Sequence, residues 1–478
     1  MKIIYIILIL FLLTSCKSGP KEFLETDSPL EIFPDYKDVS IPPNIAPLNF
    51  LVREDCKSVY VNALYMEKRI TVYNKSNQVC FDLKDWKDLV SSAIGNDIEI
   101  SVCLEKEDGI FYKYKNFKIH VEKDSIDPYL TYRLIEPDYE VFSRLKIEQR
   151  CIENFNKKDI CNHEITENAC MNCHTFAFND SKTSMFYVRG KNGGAVLNQN
   201  GKLRKLNIKT ERMYSGSVYG HFSLDGRYFV FSTNVIIPGL HADSKKRMEV
   251  FDTKSDVYVA DFEANKIISN PRLCDTNYAQ TFPCFSADGK KIYYCSAPVL
   301  KGGVKEIKNI HYDLISINFE NGEIGEQTDT IIKAKNISVC LPSVSPDGKY
   351  LIYTEADYGT FPIWHRETEL RMLNLQTMEI DSLKNVNSRN SNTYHTFSSN
   401  SKWVVFASKR DDGLYGKPYF FHIDEAGNTT KPFVLPQKYP DFYDNCLKSF
   451  NIPELSRGAV PFSVKDVESV LKTKSINF

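Results

Sequence analysis

A short turn recurs along this chain and limits the folds open to it. Phe222-Ser223-Leu224-Asp225-Gly226-Arg227-Tyr228 returns as Phe285-Ser286-Ala287-Asp288-Gly289-Lys290-Lys291, as Val344-Ser345-Pro346-Asp347-Gly348-Lys349-Tyr350 and, worn down, as Phe397-Ser398-Ser399-Asn400-Ser401-Lys402-Trp403. In each copy Gly, or Asn in the worn one, can take a positive φ between two apolar strand segments, which is a hairpin signature. A period of roughly 50 to 60 residues, with further strand-like stretches such as Asp256-Val257-Tyr258-Val259 between the turns, predicts one four-stranded propeller blade per repeat. A fifth copy is visible at Asn179-Asp180-Ser181-Lys182 followed by Met185-Phe186-Tyr187-Val188.

The Ser-Pro-Asp-Gly-Lys form at Ser345 to Lys349 resembles the TolB-like β-propeller repeat. The resemblance covers about half the chain and implies a sixth blade beyond the five that are legible. The remaining composition agrees with an all-β protein: 27 Tyr, 30 Phe and three Trp are spread over segments that alternate apolar and polar residues. A formal net charge of −1 carries no basic excess and excludes nucleic acid as an expected partner.

The N-terminus reads as an export signal. Lys2 precedes an apolar run over 3–13 that is too short to span a bilayer, and Leu13-Thr14-Ser15-Cys16 resembles the lipobox of bacterial lipoproteins. That resemblance makes Cys16 the lipidated first mature residue, residues 1–16 a signal peptide and the protein an exported one, anchored to a bacterial envelope membrane. Residues 17–48 are polar and proline-containing and read as an extended tether. Residues 49–125 read as a small β-sandwich, from strands such as Ile98-Glu99-Ile100-Ser101-Val102 and Phe117-Lys118-Ile119-His120-Val121, with a short helix over 82–93. Residues 126–176 read as a linker with a charged helix over 141–155, residues 177–436 as the propeller, and residues 437–478 as a tail with an amphipathic segment at 464–471 packed on its rim.

Within the linker, Cys170-Met171-Asn172-Cys173-His174 is CxxCH, the spacing at which c-type haem is attached. Two thiols on one turn can add to the two vinyl groups of the macrocycle, and the adjacent imidazole becomes the proximal iron ligand. Cys170 and Cys173 are thus the attachment residues and His174 the iron ligand. His174-Thr175-Phe176 reads like His395-Thr396-Phe397, the approach to the inner strand of a later blade. The motif therefore falls where the chain enters the first blade, and His395 or His221 can approach the iron from across the axis, with Met185, Met213 and His241 as weaker candidates. The same residues allow a zinc site instead, since Cys161, His163, Cys170, Cys173 and His174 supply enough soft ligands. Most other cysteines sit in apolar runs and read as buried thiols, while Cys151 and Cys161, in a polar segment, form a candidate disulfide.

Lipobox, small domain, single CxxCH and degenerate propeller together resemble envelope lipoproteins of the Bacteroides group. The functional expectation is haem-based electron transfer or redox sensing with a redox or envelope protein partner. The alternative is a propeller interaction scaffold with the Cys/His cluster as a structural zinc site. No acid, base and nucleophile converge in the sequence; Asp357, His365 and Glu367 read as solvated loop residues.

Overall fold

A computed structural model describes residues 20, 22–136, 144–240 and 248–478, with the side chains of Asn172 and Cys173 outside that description. The signal segment, Cys16 and His241 lie outside it as well.

Six sheets ring one axis. Blades one to five are Met171–Ala177 to Lys202–Asn207, Val218–Phe222 to Lys266–Ile268, Tyr278–Phe285 to Glu323–Ile332, Ser338–Val344 to Ile380–Asp381, and Asn392–Phe397 to Phe433–Val434. Each is an antiparallel four-stranded meander whose first strand is innermost, and blade one gains a fifth, parallel edge strand from Ile476–Asn477. The repeated turns join first to second strand. Gly226, Gly289 and Gly348 adopt φ near +70°, and the preceding serine hydroxyl accepts from the main chain five residues on, as in Lys291 N to Ser286 Oγ at 2.9 Å. In the worn copy Ser401, not Asn400, takes the positive φ; Asn400 stands in the aspartate position and accepts from Ser398 Oγ at 2.6 Å.

The sixth blade is built from two distant parts of the chain. Its three outer strands are Tyr129–Ile135, Lys146–Cys151 and Lys157–Asn162, and its innermost strand is Ser449–Ser456. The ring is closed by this pairing of early and late segments. Residues read as linker and tail thus form a blade, and the charged helix expected over 141–155 is a strand where it is described, at 146–151. Its polar side chains are buried and paired: Glu148 accepts from Tyr132 Oη at 2.7 Å and Lys146 Nζ at 2.6 Å, and Arg150 donates to Gln437 Oε1 at 2.7 Å. Tertiary partners override a local charge pattern. The tail does add a rim helix, Val464–Leu471, capped reciprocally by Ser463 and Asp466 and buried through Val467, Val470 and Leu471.

The N-terminal domain packs a seven-stranded sheet against a three-stranded one (Ile32–Phe33, Phe50–Val52, Gln78–Val79) around Val59, Val61, Ile100, Phe50 and Trp86. Helix Leu83–Ser92 has Asp82 as N-cap, within the 82–93 segment expected to be helical. The stretch expected as a tether is largely folded into this domain, with strands at Leu24–Glu25, Ile32–Phe33 and Val39–Ile41 and with Tyr36 and Ile41 fully buried. Its apolar residues at 30, 32, 36, 39 and 41 outweigh the prolines between them. The domain is locked to blade five: Trp403 Nε1 donates to Asp124 O at 2.9 Å, and Ser399 N donates to Asp127 Oδ2 at 2.7 Å.

Candidate functional site at the propeller axis

The six inner strands share a distortion that creates the site. In each, the pairing register with the neighbouring strand slips at an equivalent place, between Asn172 and Thr175, Val218 and His221, Thr281 and Cys284, Cys340 and Ser343, Thr393 and Thr396, and at Asn451 to Glu454 of the closing blade; blade one slips again between Phe176 and Ala177. Tyr219, Phe282, Leu341, Tyr394 and Ile452 occupy the left-handed region there, with φ of 49 to 53°. Non-glycine residues rarely hold that conformation, and β-bulges that do so re-aim the side chains that follow. The residues that follow are Gly220, Pro283, Pro342, His395 and Pro453, and at the same place in blade one stands His174. CxxCH therefore ends on the bulge of an inner strand.

Behind these bulges lies a cavity of about 160 Å³ on the axis, lined among others by His174, His221, His395, Tyr219, Tyr394 and Glu454. The three histidines expected near the iron thus meet around one space. Their bonding differs. His395 donates from Nε2 to Ile352 O at 2.8 Å, which leaves the Nδ1 lone pair unused. His221 accepts at Nδ1 from Phe285 N at 3.3 Å, so its proton sits on Nε2. His174 is 5% exposed; neither ring nitrogen reaches full hydrogen-bond geometry among the described residues, but the backbone of Thr131 and Ile452 lies close enough to oppose the effect of burial on the ring. Burial pushes all three imidazoles down to about 4, with the Arg133 guanidinium adding to the effect at His174. At neutral pH they are uncharged; the lone pair of His221 is taken by Phe285 N, so His174 and His395 are the ones whose lone pairs could serve a metal.

Glu454 was not singled out by sequence and belongs here. Its Oε1 accepts from Phe176 N at 2.9 Å and Thr175 Oγ1 at 3.2 Å, and burial pushes its carboxyl up to about 8. It does for the closing blade what His221 does for blade two, since each accepts from the inner-strand N–H of the next blade. The signal was present: Ile452-Pro453 repeats the apolar-Pro step of Phe282-Pro283 and Leu341-Pro342.

Other expected groupings are not seen among the described residues. Met171–Ala177 is a strand, not the turn on which the two thiols were expected. Cys170 is half-buried against the cluster of Ile147, Met171 and Phe186 rather than lining the cavity. Cys151 and Cys161 are free thiols: Ile147, not Cys151, lies opposite Cys161, whose burial pushes the thiol up to about 12. Among the described residues no group of three or more His, Cys, Asp or Glu is arranged to hold a metal ion. Met185 and Met213 are buried together in the packing between blades one and two. His365, expected in solvent, is fully buried with Nε2 2.9 Å from Glu249 Oε2 and Nδ1 3.4 Å from Glu367 Oε1.

No protein-family model matches the chain, and no curated protein matches it. Among solved structures, the periplasmic gluconolactonase PpgL of Pseudomonas aeruginosa is 16% identical with a TM-score of 0.34, over 67% of this chain and 99% of that one. The β-propeller domain of the Trilobed protease from Pyrococcus furiosus is 10% identical with a TM-score of 0.35, over 71% and 80%. A Mycobacterium tuberculosis puromycin-hydrolyzing peptidase is 10% identical with a TM-score of 0.37 over 72% of this chain, which spans about half (52%) of the peptidase. Likenesses this low carry no argument about activity; the propeller is read from its own strand pairing.

Proposed function

We propose that the protein is an exported, lipid-anchored propeller that binds one c-type haem where the chain enters the first blade, near one mouth of the propeller, and serves in electron transfer or redox sensing. Cys170 and Cys173 are the attachment residues, and His174 is the iron ligand. The observation that carries this reading is His174 itself: a buried imidazole kept neutral, directly after a CxxC pair and lining the axial cavity, with only the Thr131 and Ile452 backbone near its ring and no bond of full geometry to either. Leaving a buried polar group unsatisfied costs about 1–3 kcal/mol, which a coordinate bond would offset.

The donor fits the group, but the enclosed volume does not. About 160 Å³ is below the roughly 300 Å³ at which cofactor pockets begin, so a macrocycle held by His174 extends beyond that volume. Bound haem would supply one-electron chemistry. The chain's own residues would define its surroundings: His395 would offer an Nδ1 lone pair as a further donor, His221 an Nε2–H, and Glu454 a carboxyl that burial keeps protonated at neutral pH. The test is expression in a host with haem-maturation machinery, followed by denaturing electrophoresis with haem staining. Stain on the wild-type band that is lost in a Cys170→Ser/Cys173→Ser variant is expected; an unstained wild-type band contradicts the reading.

A second reading, a docking scaffold, is favoured by one feature. The second and third strands of blade two, Tyr228–Leu240 and Met248–Asp261, run on past the blade as an arm whose Val235, Ile236, Ile237 and Leu240 are exposed. Contiguous exposed apolar side chains mark contact surfaces. If the arm docks a partner, Ile236→Lys/Ile237→Lys abolishes co-purification of that partner without changing haem content; unchanged co-purification contradicts it.

A further inference from the structure

We propose that the edge of the N-terminal sheet carrying Phe23, Leu24 and Ile110 rests on the bilayer that holds the acylated Cys16. The inference depends on the lipid-anchor reading given above and adds a second, protein-borne contact to it.

The argument begins with reach. Leu24–Glu25 is the edge strand of the large sheet and pairs in parallel with Phe111–Lys113, Leu24 beside Tyr112 and Glu25 beside Lys113; Thr26 N donates to Lys113 O at 3.0 Å. The chain is therefore fixed to the domain from Leu24 onward. Residues 17–22 are all that separate Cys16 from Phe23. At about 3.6 Å per residue fully extended, seven steps span about 25 Å at most, and a relaxed segment spans much less. This edge cannot stand far from the headgroups that hold the lipid.

What the edge presents suits that position. Phe23, Leu24 and Ile110 are 45, 52 and 41% exposed, and Phe111 and Tyr112 beside them are half-buried. The edge strand is only two residues long and carries Glu25, which blunts it against pairing with another chain, while Phe23 and Ile110 beside it and Leu24 on it give the same end an exposed apolar tip. Lys113 Nζ lies 5.0 Å from the centre of the Phe23 ring and 3.6 Å from Glu25 Oε1, so a cation and an aromatic share one end of the strand. Amphipathic and aromatic side chains of this kind settle at the boundary between headgroups and acyl chains, apolar parts inward and charged ends toward water. A protein partner would need no such proximity to the anchor.

The test uses the full-length protein, acylated at Cys16 and reconstituted on vesicles of phosphatidylethanolamine and phosphatidylglycerol, compared by amide hydrogen exchange with an unacylated Cys16→Ser protein in solution. The expected result is at least tenfold slower exchange on vesicles in peptides covering 23–26 and 106–113, with unchanged exchange in the propeller strands. A Phe23→Ser/Leu24→Ser/Ile110→Ser variant, altered only at exposed positions, should remain acylated and vesicle-bound yet lose that protection. Acylated, vesicle-bound protein whose edge exchanges as in solution overturns this inference and leaves the anchor standing, as does protection that survives the triple variant. Absence of the acyl mass at Cys16 overturns the anchor reading and this inference with it.

Discussion

At the level of single residues, the site separates histidines that hold the fold from one that does not. His395 and His221 each make a hydrogen bond that ties an inner strand to its neighbour blade, so His395→Ala or His221→Ala should cost about 1 kcal/mol or somewhat more in urea unfolding. His174 reaches no bond of full geometry among the described residues, with only the Thr131 and Ile452 backbone near its ring, so His174→Ala should cost less stability than either, and its main consequence should be a changed haem spectrum. Equal destabilisation by all three without a spectral difference would place His174 among the structural ones. Glu454 gives a pH test. Its folded carboxyl titrates near 8, above the unfolded value near 4.5, so the native state favours the protonated form: stability is full below the unfolded value and is lost as pH rises through 8. Glu454→Gln keeps an acceptor for Phe176 N and should melt like the wild type at about pH 5 but at a higher temperature at about pH 9. A wild-type melting point that is flat over that interval would contradict the buried carboxyl.

Among the elements, the bulged inner strand organises the molecule, and it tolerates little change. Gly220 stands where other blades have proline or histidine, and a Cβ there would overlap the Phe229 ring, so Gly220→Ala should destabilise by about 1–3 kcal/mol. The arm of blade two is held at its root by Asn234 Nδ2, which donates to Asp252 Oδ2 at 3.0 Å, and farther out by Glu249 against His365. Against the pull of burial, Glu249 and Glu367 raise the His365 imidazole above its ordinary value, and burial raises Asp252 to about 7. Both changes act in one direction. As pH rises, His365 loses the charge that Glu249 pairs with while Asp252 gains a buried one, so arm amides at 235–240 and 248–252 should exchange faster at about pH 9 than at about pH 6 beyond the intrinsic base catalysis. Arm exchange that scales only with the intrinsic rate would contradict this coupling. The repeated turns were legible because Ser-x-Asp-Gly is a local device that writes its own hydrogen bonds into sequence. His365 was not, because its partner Glu249 lies on another blade and no local pattern announces it.

For the whole molecule, closure explains what the sequence concealed. Five blades are contiguous and carry a turn signature, while the closing blade divides its strands between 129–162 and 449–456 and has no Ser-x-Asp-Gly turn. Read alone, its halves look like a linker and a tail, and the buried Glu148, Gln149 and Arg150 look like a solvated face. A chain ending at residue 436 should therefore lose cooperative unfolding, since it lacks the innermost strand of one blade; near-native melting would contradict the closure. That architecture also brings His174, His221 and His395 around one cavity from residues more than two hundred apart, and it rests on pairing rather than on any family likeness. The central claim is that the chain carries haem at CxxCH, with His174 beside this cavity as the iron ligand. Intact mass spectrometry of the mature protein made with haem-maturation machinery tests it most directly: the account predicts one haem per chain, mapped to the peptide holding Cys170 and Cys173, and unmodified thiols at both positions would contradict it.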